Sequence, residues 1–155
     1  MTPAVDLLNK HKIEFKIHHY LHDKNCDSYG LEAAQKMGVD AELVFKTLVV
    51  NVDNDSLLVC ILPVTKMLNL KHVAKVCAAK KVQLADKQAV LRSTGYVLGG
   101  VSPLGQKKPL KTVLDNSAIG LPRIYVSAGK RGLDIALDPA DLISLLNALN
   151  ADICQ

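Results

Sequence analysis

Tryptophan is absent from the 155 residues, and aromatics make up only 4% of them. Aliphatic side chains must therefore build the core, and the chain lacks the set of stacking rings that an RNA-recognition sheet presents. No apolar run approaches the roughly 18 residues that cross a bilayer. The longest, Leu57-Leu58-Val59-Cys60-Ile61-Leu62, has six. The N-terminal stretch carries an early acid, Asp6, and no basic flank leading into a long apolar region. A secretory signal is not expected, and a cytoplasmic location is. The four cysteines, Cys26, Cys60, Cys77 and Cys154, form no CxxC pair and no Cys/His grouping at zinc-finger spacing. They are expected to be reduced thiols, with no structural metal, no disulfide framework and no cofactor. Nine glycines and six prolines are too few for a collagen-like or low-complexity chain. With 49% hydrophobic residues the chain reads as a single domain over residues 1–155.

The net charge of +4 is unevenly spread. From Lys66 to Lys111 there are ten Lys/Arg against one acid, Asp86, whereas residues 1–65 sum to −3 and residues 112–155 to −2. One basic segment of this kind suits a polyanion; solvated faces that only keep the protein soluble would give the same count.

Hydropathy alternation and capping residues give an α+β pattern. Thr2-Pro3 opens a short helix, residues 14–21 alternate as a strand, and Ser28 caps a helix closed by Gly38. Phe45–Val52 and Ser56–Pro63 form a hairpin across Asp53-Asn54-Asp55, and the second run, apolar on both faces, belongs in the middle of a sheet. Asn69 caps a helix to about Ala79, Lys81–Ala85 is a strand, and Asp86 caps a helix ending at Gly95. After a loop over 95–109 come strands at Lys111–Leu114, Arg123–Ala128 and Leu133–Leu137, with a turn at Gly129–Gly132. A last helix, Pro139–Asn150, carries Leu142, Leu145, Leu146 and Leu149 on one face. This predicts a mixed sheet with helices packed on it.

Few residues in this frame carry chemistry. Lys46 shares a strand face with Leu48 and Val50, so its ammonium either snorkels from a strand end or enters a polar pocket to meet an anion. Gly95, Gly99, Gly100 and Gly105, with Pro103, crowd one loop whose bare amides can hold a carbonyl oxygen or phosphate, unless it is only a tight turn. The loop is not a P-loop, because Lys107 comes one place late, the Ser/Thr is missing and no strand precedes it. Asp134 shares a face with Ala136 and either lines a cleft or pairs with Lys130 or Arg131. His18 and His22 lie on one side of an extended segment, but no carboxylate or third histidine completes a metal site there. Cys60 sits in a central apolar strand, where burial disfavours the thiolate.

Lys46 within Phe45-Lys46-Thr47-Leu48, Arg92-Ser93-Thr94-Gly95-Tyr96, Gly99-Gly100-Val101-Ser102-Pro103-Leu104-Gly105-Gln106-Lys107-Lys108, and Tyr125-Val126-Ser127 leading into Gly129-Lys130-Arg131-Gly132-Leu133-Asp134 occur in one order. In that order they resemble the YbaK family of free-standing bacterial editing deacylases, over nearly the whole chain from Thr2 to Ile153. The resemblance implies the fold of the editing domain inserted in bacterial prolyl-tRNA synthetases, a mixed sheet forming a partly closed barrel with surrounding helices. It implies trans-editing of Cys-tRNA(Pro), in which the substrate's own thiol cleaves the aminoacyl ester. Lys46 then matches the family's essential lysine, Gly99, Gly100, Val101, Ser102 and Pro103 its Gly-x-x-x-P loop, and Tyr20, Tyr29, Ser127 and Asp134 its pocket. Lys66, Lys71, Lys80, Lys81, Arg92, Lys107 and Lys108 are the expected RNA contacts. The implied partners are tRNA(Pro) charged with cysteine and prolyl-tRNA synthetase, with no DNA and no membrane. Three positions depart from the family pattern: Tyr29 in place of Phe, Ala128 in place of Gly, and Pro109 in place of a basic residue. Two other functions fit the residues: deacylation of Ala-tRNA(Pro) by activated water, and a non-catalytic RNA-binding adaptor.

Overall fold

Capping fixes where each helix begins in the computed structural model, which describes residues 1–155. Helix α1 (Pro3–Lys10) starts where Thr2 Oγ1 accepts the Val5 amide, with Pro3 in its first turn. Helices α2 (Tyr29–Met37), α3 (Leu70–Val76), α4 (Lys87–Thr94) and α5 (Pro139–Leu146) are capped by Ser28, Asn69, Asp86 and Asp138. Gly38 and Gly95, both left-handed, close α2 and α4.

Eight strands divide into two sheets. The larger has the order β4-β2-β3-β5-β8, from Val82–Leu84, Phe45–Val52, Ser56–Pro63, Lys111–Asp115 and Leu149–Ala151. The smaller is β1-β7-β6, from Phe15–His19, Leu133–Leu137 and Ile124–Lys130. Strand β3 is central as expected, antiparallel to β2 and parallel to β5. Its two apolar faces serve two cores. Val59 and Ile61 join Phe45, Leu114, Val126, Ile135, Leu8 and Leu142 between the sheets, with α1 and α5 closing the ends. Leu58, Cys60 and Leu62 face the other way, onto Val50, Val113, Val73 of α3 and Ile153. This α+β architecture is the mixed, partly closed barrel that the resemblance implied.

The ends of several elements differ from expectation. Helix α3 stops at Val76, because Ala78 turns left-handed (φ 53°). Helix α5 stops at Leu146 and not Asn150: Asn147 is left-handed, and the chain re-enters the larger sheet as β8, parallel to β5. Leu149 therefore leaves the helix face and stands 54% exposed. Strand β1 ends at His19, leaving Leu21 in solvent at 87% exposure. Strand β6 runs on to Lys130 through a bulge between Ser127 and Lys130, which absorbs two residues and narrows the predicted turn to Arg131-Gly132. No helix is long and apolar enough to cross a membrane.

The sheets meet where Val44, just before β2, forms one parallel bridge with Tyr125 of β6. Beyond it the two strands carry no ladder. Strand β4 covers only Val50–Val52 of β2, so the segment from Phe45 to Leu48 has no neighbour on that side in its own sheet. The gap so opened holds the site.

Candidate active site

A cavity of about 290 Å³ fills this gap. Lys46, Thr47 and Leu48 line it from the free edge of β2, Ser127 from β6 and Asp134 from β7. Tyr20 enters from the end of β1, and Asp27, Ser28, Tyr29 and Ala33 from the start of α2. Leu98, Gly99 and Val101 come from the glycine loop. Of the residues singled out in the sequence, Tyr20, Tyr29, Lys46, Gly99, Val101, Ser127 and Asp134 are brought together here. The lining contains neither cysteine nor histidine.

Lys46 is half-buried, and none of the protein's ion pairs involves it. Burial pulls its ammonium below the ordinary lysine range, and Cys154 nearby opposes that shift. In the same lining, Asp134 is 5% exposed, and burial alone pushes its carboxyl up to about 7. The alternative pairing with Lys130 or Arg131 is not formed. Burial and the neighbouring Asp134 push the Tyr20 phenol up to about 12. The Thr47 hydroxyl oxygen is buried without a hydrogen-bond partner.

The glycine loop is built as much for packing as for display. Four consecutive residues, Val101, Ser102, Pro103 and Leu104, are buried. Tyr96 Oη donates to the Leu104 carbonyl at 2.7 Å, and Ser102 Oγ accepts the Leu104 amide at 3.2 Å. Gly100, Ser102 and Pro103 therefore stand behind the cavity wall and do not line it. The Gly100 amide, expected to be available, is taken by the Val97 carbonyl at 3.0 Å. The Gly99 and Val101 amides donate to no backbone carbonyl. Gly99 has φ +85°, and a Cβ there would lie 2.7 Å from Arg131 Nε and 2.8 Å from the Tyr29 ring, so only glycine fits.

Arg131, which sequence reasoning placed only as a possible partner of Asp134, clamps this wall. Its Nε and Nη2 donate to the Leu98 carbonyl at 3.1 and 2.6 Å, and its guanidinium lies 4.5 Å from the centre of the Tyr29 ring. Tyr29 in turn packs against His22. Glu32, buried on α2, accepts from His22 Nδ1 at 2.8 Å, from the Asp23 amide at 2.6 Å and from Lys36 Nζ at 3.2 Å. Burial raises the Glu32 carboxyl, but these donors outweigh it and hold it at about 2. His22 thus has the carboxylate that spacing did not reveal, and Cys26 joins them, all three within 4.8 Å. His18 lies elsewhere, edge-on to Tyr125. Thr47 and Arg131 lie inside segments that carry the resemblance, but no role is attached to either there, and Glu32 on α2 lies outside all of them.

The basic residues sit on several parts of the fold. Lys71 stands near Lys46, on a groove that shares Lys46 with the cavity. The Lys80 and Lys81 amides bind Asp53 at the tip of the β2–β3 hairpin, the end away from Lys46. Lys107 and Lys108 bond through their amides to Thr94 and Ser93, beside Arg92 at the end of α4. All of these, and Lys66, are exposed.

The profile of the aminoacyl-tRNA editing domain matches residues 23–145. A protein of Enterococcus faecalis (strain ATCC 700802 / V583), EbsC, named for Cys-tRNA(Pro)/Cys-tRNA(Cys) deacylation, is 35% identical over 153 residues, covering 98% of this chain and 92% of its own. Among solved structures, one titled as a trans-editing enzyme for prolyl tRNA synthetase superposes with a TM-score of 0.86 at 22% identity, covering 99% of this chain and 95% of that one. The hypothetical protein APE2540 superposes with the same TM-score at 23% identity and 99% coverage of both chains. At those identities the two structures speak to the fold. The family profile, spanning most of the chain, and the curated relative together place it: this chain belongs to the aminoacyl-tRNA editing domain family.

Proposed function

We propose that this protein is a trans-editing deacylase that frees proline tRNA from mischarged cysteine. One observation carries the reading: a half-buried lysine without an ion pair borders a small cavity whose lining lacks cysteine and histidine. The relative named for Cys-tRNA(Pro)/Cys-tRNA(Cys) deacylation, similar over nearly the whole chain, supports the same substrate. Discrimination between similar small amino acids by pocket size alone is weak, which is why a second, hydrolytic site is needed.

In this reading the substrate supplies the nucleophile. The cysteinyl sulfur attacks its own ester carbonyl, a C–S bond forms, the C–O bond to the ribose breaks, and the thiol proton passes to the departing ribose oxygen. The product is a cyclic thiolactone, which water then opens. Intramolecular attack of this kind gains a large effective molarity once one rotamer is held. Tyr20, Tyr29, Ser127 and Asp134 shape the cavity for that rotamer. The Gly99 and Val101 amides meet the charge developing on the carbonyl oxygen. Lys46 takes the phosphate or ribose side of the terminal adenosine, and Gly100, Ser102 and Pro103 hold the loop in place. The enzyme works as a single domain over residues 1–155 in the cytoplasm, with prolyl-tRNA synthetase as partner.

A second reading rests on Asp134. A carboxyl that titrates near neutrality could activate water on Ala-tRNA(Pro), a substrate without a thiol. Deacylation of Cys-tRNA(Pro) and Ala-tRNA(Pro) side by side, with and without the synthetase, decides between them. The thiol reading expects release of cysteine only. Equal release of alanine contradicts it.

A further inference from the structure

A groove of about 630 Å³ lies beside the cavity and shares two of its lining residues, Lys46 and Leu48. Met67 and Leu84, which are 68% and 60% exposed, also line it, together with Lys71. A water-facing apolar floor with cations beside it suits a ligand that is flat and apolar on its faces and anionic at one end. A nucleotide has that form: the faces of a base are apolar and pack on aliphatic side chains, and the phosphate seeks lysine.

From this continuity we infer that the groove is the nucleoside compartment of the site and holds the terminal adenosine of the charged tRNA. The inference rests on the deacylase reading above. The alcohol half of the aminoacyl ester is the ribose of that adenosine, so a cysteinyl group in the cavity requires the nucleoside to leave through an adjoining space. Lys46, common to both spaces, lies at the junction where ester and phosphate are closest. The adenine ring packs over Leu48, between Met67 and Leu84, and Lys71 takes the next phosphate along the strand. The groove selects for a nucleoside ester over a free amino acid ester, while the cavity selects the amino acid.

Two measurements test this. In the first, the Met67→Asp and Leu84→Asp variants, checked for an unchanged melting temperature, are assayed on Cys-tRNA(Pro). KM should rise about tenfold, the loss of one aliphatic side chain's packing against the base, with kcat within twofold. In the second, adenosine 5′-monophosphate is titrated into the parent protein and methyl NMR signals are followed. Met67 is the one of three methionines that lines the groove. Its methyl and those of Leu84 should shift, and the methyls of Leu31, exposed on α2, should not. Parent-like KM in both variants would overturn the assignment. So would a raised KM without a Met67 shift, which would place some other part of the RNA on the groove. Should the parent itself release no cysteine, the deacylase reading fails, while the nucleotide titration still reports on the compartment.

Discussion

At the scale of single residues, the site contrasts a cation and a carboxyl that both lack ion-pair partners. Lys46 bears a desolvation cost that no protein anion offsets. Lys46→Ala should lower deacylation about a hundredfold or more, the cost of removing one charged contact to the transition state. Its melting temperature should be unchanged or higher, since an unpaired ammonium is removed. Loss of activity with loss of fold would instead make the lysine structural. Asp134 provides a pH test. Its folded-state value, about 7, lies above its ordinary 3.8, so the native state binds the extra proton between these values. The stability associated with that proton is complete below about pH 4 and is lost as pH rises through 7. Asp134→Asn removes this dependence. The variant should melt higher than the parent at pH 8 and match it near pH 4, and equal melting curves at both pH values would show that the carboxyl is not desolvated.

Elements determine how firmly those residues are held. The glycine loop is tied to α1 at Gly105, which has φ +68° and where a Cβ would stand 2.5 Å from the Pro3 backbone. Gly105→Ala should cost about 2 kcal/mol in urea unfolding, through left-handed strain plus displacement of α1. A cost under 0.5 kcal/mol would mean that the helix end gives way freely. Arg131→Ala should act differently, sparing stability within about 0.5 kcal/mol because the side chain is exposed, yet raising KM as Leu98 and Tyr29 lose their clamp. Elements with strong local signals were legible in the sequence. The helix starts at Thr2, Ser28, Asn69 and Asp86 and the alternation of the β2–β3 hairpin fixed their own positions. Strand β8 was not legible, because Leu149 continues a helical spacing, and only the parallel pairing with β5 draws it out of the helix. The bulge in β6 was equally hidden, since it depends on register against β7. In the site, Lys46 and Asp134 stood out as charges within apolar strands. Thr47, Arg131 and Glu32 gain their contacts only from the tertiary arrangement, and no local pattern encodes it.

For the molecule as a whole, the cavity exists because two sheets touch at one bridge and then part. The cations stand on several parts of the fold, at the groove, the hairpin tip and the end of α4. Binding to tRNA should weaken at least tenfold between about 50 and 200 mM salt, as expected when several phosphates are neutralised. A flat salt response would remove these lysines and Arg92 from the RNA surface. The central claim concerns chemistry more than binding. It holds that the fold shapes the substrate and that the substrate's sulfur cuts the ester. The most direct test is single-turnover deacylation of proline tRNA carrying 2-aminobutyrate, in which a methyl group replaces the thiol. The account predicts that this ester persists while the cysteinyl ester is cleaved, and release of both at the same rate would contradict it.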